Sequence, residues 1–270
     1  MSLSSFLLLF AGGVATGTIG GLLGIGGGVF LIPFLVLVFG IPMHQAIATS
    51  IVAVIATSSA GAAMNVERHL VNVRLGMVLE IATVFGAIFG GVTANLLSGD
   101  TLSKIFATLL LVVAGMMAYR MRRSPEESAQ SGNGVLQADF VDAASGKTVT
   151  YGVKRIPFVM LVSLIAGNVS GLLGVGGGIF KVPAMNMISG IPIKAATATS
   201  NFMIGVTAAA SAFIYFSHGH LNPLIASAAA LGVLTGSYVG ISLGRRIHSR
   251  LLTWIFIVVL GVVAIRMFLK

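Results

Sequence analysis

Residues 21–30 read GLLGIGGGVF, and residues 171–180 read GLLGVGGGIF. Farther along the chain, the triplets GIP at 40–42 and ATS at 48–50 return at the same offset of 150 residues. Between residues 21 and 60, 18 of the 40 positions are identical to their partners 150 residues later. Self-similarity at a fixed spacing indicates an internal structural repeat. The chain is therefore predicted to consist of two copies of one unit.

Composition places both copies in a membrane. Of the 270 residues, 56% are hydrophobic and only 9% are charged, and the mean hydropathy is +1.02. A soluble domain usually has about 25% charged residues. Apolar stretches of about 20 residues recur instead, and as helices they cross a hydrocarbon core about 30 Å thick. Because backbone groups in lipid must be hydrogen-bonded internally, the fold class is predicted to be all-α, in a polytopic membrane protein.

Each half is predicted to contain five helical segments, interrupted by the glycine runs. We place the first membrane repeat at 1–120, a polar linker at 121–155 and the second membrane repeat at 156–270. The segment at 29–39 is too short to span the membrane at about 1.5 Å per residue. Two arrangements remain open: five full crossings per half, or three crossings with a re-entrant hairpin of the first two segments. The linker is predicted to be soluble, with a small β-hairpin around Ser145-Gly146.

Basic residues predict opposite orientations for the two repeats. Those in and beside the linker indicate that it is cytoplasmic: Arg120, Arg122, Arg123, Lys154 and Arg155. In the second repeat a further basic loop lies at 245–250, whereas the equivalent residues 95–100 contain no Lys or Arg. Equivalent loops with different charge signatures indicate two inverted repeats.

Several classes of function are excluded by what the sequence lacks. The net charge of +9 does not indicate a nucleic-acid partner, because the basic residues cluster in short segments between apolar stretches. The absence of cysteine excludes disulfides, thiolate metal sites and thiol catalysis. No serine-hydrolase, zinc-protease or P-loop motif is present. We therefore expect neither an enzyme nor a bound cofactor or metal.

The interrupted glycine-rich segments are the first candidate binding site. Each glycine costs a helix about 1 kcal/mol relative to alanine, and it leaves room for a ligand to approach the backbone. The helix that follows points its positive dipole end at the break, which suits an anion. Close helix packing is the alternative, and we prefer it for Gly86, Gly90, Gly236 and Gly240. The predicted substrate-binding glycines are Gly24, Gly26, Gly27, Gly28, Gly174, Gly176, Gly177 and Gly178.

Hydroxyl groups near the middle of the membrane form the second candidate binding site. Thr49 and Ser50, and their partners Thr199 and Ser200 with Asn201, lie after the proline that begins the third segment, at a depth of about 12 Å. If the two copies enter from opposite faces, they are expected to nearly meet at the centre. Their donors would replace the water that an anion loses there. Hydrogen bonds to carbonyls of their own helix are the alternative.

Ionisable side chains inside the membrane are costly and mark functional sites. Lys181 follows the second glycine run, and we expect it to attract or hold an anion; the alternative is that it snorkels to the interface. Glu80 is the only carboxylate well inside a predicted helix. It is a candidate for proton coupling, or it pairs with Arg74 or another basic group. His44 and Lys194 are equivalent positions, which we expect at the interfaces.

The doubled glycine block, its downstream proline and the GIP and ATS triplets resemble the sulfite exporter TauE/SafE family of membrane permeases. The resemblance covers both halves and leaves out the central linker. It implies a multi-pass transporter of the bacterial inner membrane, driven by an ion gradient without ATP. It also implies a small sulfur-containing anion as substrate, such as sulfite or an organosulfonate, with export as the expected direction. No site residues are carried over from the family.

The sequence thus favours a secondary anion transporter with a central site between inverted repeats. Two alternatives stay open. An anion channel would keep a continuous pore, and a non-transporting membrane subunit would have no need of a duplicated helix break. The sequence leaves the coupling ion and the oligomeric state open.

Overall fold

The computed structural model describes residues 3–23, 27–122, 135–141, 148–244 and 249–269. Each half contributes five helices within these residues, as predicted, and two strands lie between the halves. The elements in chain order are α1 (Leu3–Leu23), α2 (Gly28–Val38), α3 (Met43–Glu67), α4 (Val73–Leu96), α5 (Gly99–Arg122), β1 (Val135–Val141), β2 (Thr148–Val153), α6 (Ile156–Leu173), α7 (Gly178–Met187), α8 (Ile193–Ser217), α9 (Pro223–Gly244) and α10 (Ser249–Phe268).

Local sequence explains where equivalent helices begin. Pro42 and Pro192 directly precede α3 and α8, a position where the missing N–H of proline breaks no helical hydrogen bond. Asn72 caps α4 through its side chain, which accepts a hydrogen bond from the backbone N–H three residues later. Asn222 accepts from the N–H groups two and three residues later, at the start of α9. The repeat is therefore visible in the helix ends as well as in the glycine runs.

Seven of the described helices are long and apolar enough to cross a membrane: α1, α3, α4, α5, α6, α8 and α9. The described apolar part of α10, Phe256–Phe268, is shorter. Helices α2 and α7 have only 11 and 10 residues. At about 1.5 Å per residue, each covers roughly half of the hydrocarbon core. The all-α polytopic class is confirmed.

Close helix pairs join the two halves, since α1 packs against α9 and α4 packs against α6. A Cβ added at Gly236 would collide with the carbonyl oxygen of Val14, and one added at Gly240 would collide with that of Thr18. Residue numbers rise together along this contact, so the two helices run parallel. The packing glycines of α4 meet the backbone of α6 in the same way: Gly86 and Gly90. The prediction that these glycines serve close packing is confirmed.

The equivalent helices α3 and α8 cross in opposite directions. At their crossing Gly205 lies beside Ser58, and Gly61 lies beside Asn201, so residue numbers fall along α8 as they rise along α3. Two copies related by a twofold axis in the membrane plane would meet in this way. The membrane face that each end occupies stays a prediction, as do the domain boundaries.

The first two helices of each half form a hairpin. In the first half the ring of Phe34 lies against Gly12, and a Cβ at Gly27 would lie 3.5 Å from the Cα of Gly17, so α2 runs back along α1. In the second half, hydrogen bonds join the chain entering α6 to the chain leaving α7. Both predicted arrangements contain such a hairpin, and α1 and α6 are each long enough to cross, so the number of crossings per half stays a prediction.

The linker contains the expected β-hairpin, because β1 and β2 pair antiparallel. Its predicted turn at Ser145-Gly146 lies outside the described residues, which omit 142–147. Phe140, Tyr151 and Val153 are buried in one cluster with apolar residues of α4, α6, α7 and α8. The linker therefore covers one end of the helices, a contact that the sequence did not predict.

Candidate functional site

A lysine in the interior is the centre of the candidate site. The chain leaves α6 at Gly174 and turns into α7 through Gly176 and Gly177, all with positive φ (+67°, +82° and +68°), which glycine adopts without steric penalty. Because α7 begins at Gly178, Lys181 lies in its first turn. The side chain of Lys181 is 0% exposed, so the snorkelling alternative is wrong.

Thr207 of α8 connects this lysine to a carboxylate of α4. Lys181 Nζ donates to Thr207 Oγ1 at 3.1 Å, and that hydroxyl donates to Glu80 Oε1 at 2.6 Å. The direct distance from Lys181 Nζ to Glu80 Oε2 is 4.0 Å, which is too long for a hydrogen bond. Three helices thus place an ammonium group, a hydroxyl and a carboxylate side by side. Glu80 pairs here and not with Arg74, which is exposed.

One oxygen of this carboxylate has no partner. Glu80 is 8% exposed, and its Oε2 is buried without a hydrogen bond in the part of the chain that the structure describes. Leaving a buried acceptor unpaired costs about 1–3 kcal/mol. Such atoms are few in native proteins, and each requires an explanation. Here the free oxygen faces the lysine, which indicates a place for a proton or a ligand donor.

The internal repeat does not duplicate this cluster of charges. The three members have partners at the 150-residue offset that carry no charge: Leu31, Thr57 and Ala230. Leu31 is fully buried, and Thr57 donates to carbonyls of its own helix. The symmetric scaffold therefore contains an asymmetric charged site. Thr207 was missed by the sequence analysis, because a threonine within an apolar helix gives no signal of its own.

The predicted binding glycines are closely packed. Gly24 and Gly26 lie outside the described residues. At the other six, an added Cβ would lie within 3.0 Å of a neighbouring atom: Gly27, Gly28, Gly174, Gly176, Gly177 and Gly178. In this conformation these glycines permit tight turns and close backbone approach. That a ligand reaches their N–H groups stays a prediction.

The Thr-Ser pairs are buried, but they do not meet. Ser50 Oγ donates to the carbonyl of Gly174 at 2.8 Å, and Thr199 Oγ1 accepts from the backbone N–H of Asn72 at 3.0 Å. Helix α3 meets α8 near Ser58, about two turns beyond Ser50. The expected meeting at the centre is therefore wrong, because each pair contacts a connection of the opposite half.

The other hydroxyls of these pairs and the amide of Asn201 have different surroundings. Thr49 Oγ1 and Ser200 Oγ are buried and have no hydrogen-bond partner among the described residues. Asn201 is half-buried beside Gly61, where α3 crosses α8. Of these groups, the amide of Asn201 lies at the contact between the halves, whereas Ser200 Oγ lies beside Gly178 of its own half.

His44 and Lys194 lie at helix ends. The ring of His44 stacks on that of His220, with centroids 4.8 Å apart. Burial is the main reason why the pKa of His220 is lowered, and the nearby His44 lowers it further. His44 also lines a cavity of about 650 Å³ together with Asp100 and Lys104. The described lining of this cavity contains none of the predicted site residues. Lys194 is exposed at the first turn of α8.

Comparison with known proteins agrees with this architecture. The family model described as sulfite exporter TauE/SafE matches residues 9–267. The probable membrane transporter protein YunE of Bacillus subtilis (strain 168) is 26% identical over 263 residues, which cover 95% of this chain and 94% of that protein. The probable membrane transporter protein MJ0441 of Methanocaldococcus jannaschii is 27% identical over 277 residues, with coverage of 97% and 95%.

A probable membrane transporter protein of Xylella fastidiosa (strain 9a5c) is also 27% identical, and it covers 98% of this chain. No solved structure matches the chain. The family match spans nearly the whole chain, and the seven helices fit a protein that crosses a bilayer repeatedly. The chain therefore belongs to the sulfite exporter TauE/SafE family, as a multi-pass membrane transporter.

Proposed function

We propose that this protein is a secondary transporter of small sulfur-containing anions, of the class of sulfite and organosulfonates. Its central site is the buried lysine between the two repeats. One observation carries the proposal: the ammonium group of Lys181 is fully buried, yet it is 4.0 Å from its counter-ion Glu80. Ionisable groups inside a membrane protein are costly, and they mark substrate or ion pathways.

The chemistry around Lys181 suits an oxyanion. The lysine lies in the first turn of α7, where the positive end of the helix dipole favours negative charge. Its ammonium group has three donor hydrogens, and Thr207 accepts one of them. The two remaining donors can bind two of the three acceptor oxygens of a sulfite or sulfonate group. The observed donors therefore support a tetrahedral or pyramidal oxyanion as substrate.

Transport requires movement, because Lys181 is closed off from water in this conformation. We assign the movement to the two helical hairpins, α1–α2 and α6–α7, which shift against α3 and α8. The glycine runs Gly24–Gly28 and Gly174–Gly178 act as hinges and supply backbone donors. The polar residues that line the path are Thr49, Ser50, Thr199, Ser200 and Asn201.

The proposal also states which membrane contains the protein and which energy source drives transport. We place the protein in the bacterial inner membrane with the linker in the cytoplasm, supported by the basic residues around 120–123 and 154–155. We assign net export, driven by an ion gradient, with Glu80 as the coupling group. A channel is less well supported, since a continuous pore would expose Lys181 to water, whereas the lysine is buried.

Uptake into liposomes that contain the purified protein tests the proposal, with sulfite, thiosulfate, sulfoacetate, sulfate and chloride compared. Lys181→Ala is expected to weaken the apparent affinity for the carried anion about tenfold or more. A hydrogen bond to a charged group contributes about 1.5–3 kcal/mol, and about 1.4 kcal/mol corresponds to a factor of ten.

Lys194→Ala is the matched control, because it removes an exposed lysine in the first turn of α8, about three and a half helical turns before Thr207. Its affinity is expected to equal that of the unmodified protein. Equal affinities for the two variants would contradict a substrate role for Lys181. Failure of the unmodified protein to carry any of the five anions would contradict the proposed function.

A further inference from the structure

The buried site is neutral only as a pair of opposite charges. Among the described residues, α6 contains no ionisable side chain and α7 contains only Lys181. Helix α8 adds Lys194 in its exposed first turn and Tyr215 near its end, and α4 adds the exposed Arg74 besides Glu80. No other charge of these helices lies next to the pair, so Lys181 and Glu80 compensate each other.

The β-hairpin also packs against α4, α6, α7 and α8, but it does not change the net charge of the site. Its buried ionisable residue is Tyr151, and burial raises the pKa of that phenol, so the phenol remains neutral. Asp139 of β1 is exposed at the surface of the hairpin. The charge state of the site therefore depends on Lys181, Glu80 and whatever binds to them.

An anion that binds Lys181 breaks this balance. It leaves Glu80 as an uncompensated negative charge, and an unpaired charge in a buried site costs several kcal/mol. A proton on Glu80 without an anion instead leaves Lys181 uncompensated. Both half-loaded states are disfavoured for this reason. The empty site and the site that holds anion and proton together are each neutral.

We propose that this site carries one monovalent anion and one proton together, with the anion on Lys181 and the proton on Glu80. The inference rests on the proposed function, since it needs an anion at Lys181. On loading, the attraction between Lys181 and Glu80 is replaced by that between Lys181 and the anion, while the carboxylate takes up one proton from water. The O–H bond of the carboxylic acid forms as an O–H bond of hydronium breaks. Release reverses both events, and no other bond forms or breaks.

The geometry identifies the oxygen that takes the proton. Glu80 Oε1 already accepts from Thr207, whereas Oε2 has no hydrogen-bond partner among the described residues and lies 4.0 Å from Lys181 Nζ. A proton on Oε2 turns it into a donor within reach of an anion that Lys181 holds. The proton and the anion thus stabilise each other by direct contact.

The charge balance of the site determines which anions it accepts and how many protons accompany each anion. A monoanion such as hydrogen sulfite or a sulfonate leaves the loaded site neutral, whereas sulfate would leave it with a net negative charge. The positions related to Lys181 and Glu80 by the 150-residue repeat are the uncharged Leu31 and Ala230, so the repeat supplies no second charge pair, and one proton accompanies one anion. Net direction then follows the combined gradients of proton and anion. An acidic exterior drives uptake, so the proposed net export is driven by an outward anion gradient that exceeds the inward proton gradient.

Liposomes with the purified full-length protein and a trapped pH dye test the inference. The probe is radiolabelled methanesulfonate, which stays a monoanion across the working pH range. The unmodified protein is expected to accumulate methanesulfonate when the exterior is more acidic, and to acidify the lumen as the anion enters. A potential imposed with valinomycin is expected to leave the initial rate unchanged, because the step moves no net charge.

Glu80→Gln is expected to lose gradient-driven accumulation and lumen acidification, and its anion exchange is expected to become independent of pH. Glu67→Gln removes an exposed carboxylate at the end of α3, and it is expected to keep the coupling. Methanesulfonate transport that responds to the potential, or that leaves lumen pH unchanged, would overturn the inference while leaving the proposed function intact. These measurements on the unmodified protein decide the matter even if Glu80→Gln fails to fold.

Discussion

Thr207 is the single residue that joins the two charges, because its hydroxyl accepts from Lys181 and donates to Glu80. Thr207→Val keeps the side-chain shape but leaves both charged partners without this hydrogen bond, at a cost of about 1–3 kcal/mol. We expect anion uptake by this variant to fall about tenfold, measured as the initial rate in liposomes at equal protein content.

The equivalent Thr57→Val is the control, since Thr57 donates to carbonyls of its own helix. Its uptake rate is expected to stay within about twofold of the unmodified protein. Equal losses in both variants would mean that the hydroxyl serves helix stability in each half and that Thr207 has no special role. The comparison is possible because the repeat supplies the same residue in an uncharged setting.

Single residues also show where sequence reasoning reached its limit. Lys181 and Glu80 were both recognised as candidates, because ionisable groups stand out in apolar segments. Their pairing was not predicted, since Thr207 and Glu80 are 127 residues apart and meet only when α4 packs against α8. An ionisable residue can be recognised from the apolar sequence around it, whereas the residue that it pairs with depends on helix packing.

At the scale of elements, the glycine stripes set how closely helices approach. Gly236→Leu places a side chain against the backbone of Val14 on α1, where no rotamer change relieves the collision. Overpacking of this kind typically costs about 1–3 kcal/mol. We expect this variant to lose native, monodisperse protein at a lower temperature, as measured by size-exclusion chromatography of heated detergent samples.

Gly261→Leu on α10 is the matched control, because an added Cβ there meets nothing within 4 Å. It is expected to melt at the temperature of the unmodified protein or above it. Similar melting of both variants would mean that the α1–α9 contact is looser than the structure shows. Substitutions at Gly177 are unsuitable as tests of binding, since its positive φ strains any side chain.

Helix identity and length were predictable from hydrophobic runs, prolines and glycine breaks, and five helices per half were found as expected. The direction of α2 was not, because a segment of 11 residues fits both a partial crossing and a re-entrant hairpin. The contact between Phe34 and Gly12 shows that α2 runs back along α1. Length is a local property, whereas the path of a short helix depends on its neighbours.

At the scale of the whole molecule, the inverted arrangement predicts opposite exposure of equivalent loops. The cysteine-free chain allows single substitutions at Arg68 and His218, which are exposed and occupy equivalent turns. In intact cells an impermeant maleimide is expected to label His218→Cys and to spare Arg68→Cys until the membrane is permeabilised. Labelling of both from the same side would contradict inverted repeats, with total labelling after lysis as the control.

The sequence by itself determined that the chain lies in a membrane, that it contains two copies of one unit and that each copy is interrupted by glycines. These properties follow from composition and from patterns within short stretches of the chain, which can be read without knowing the fold. Tertiary structure alone decided that Lys181 meets Glu80 through Thr207, that the Thr-Ser pairs stay apart and that the linker hairpin covers one end. Those outcomes depend on how helices far apart in sequence approach each other, and that approach is set by their combined packing.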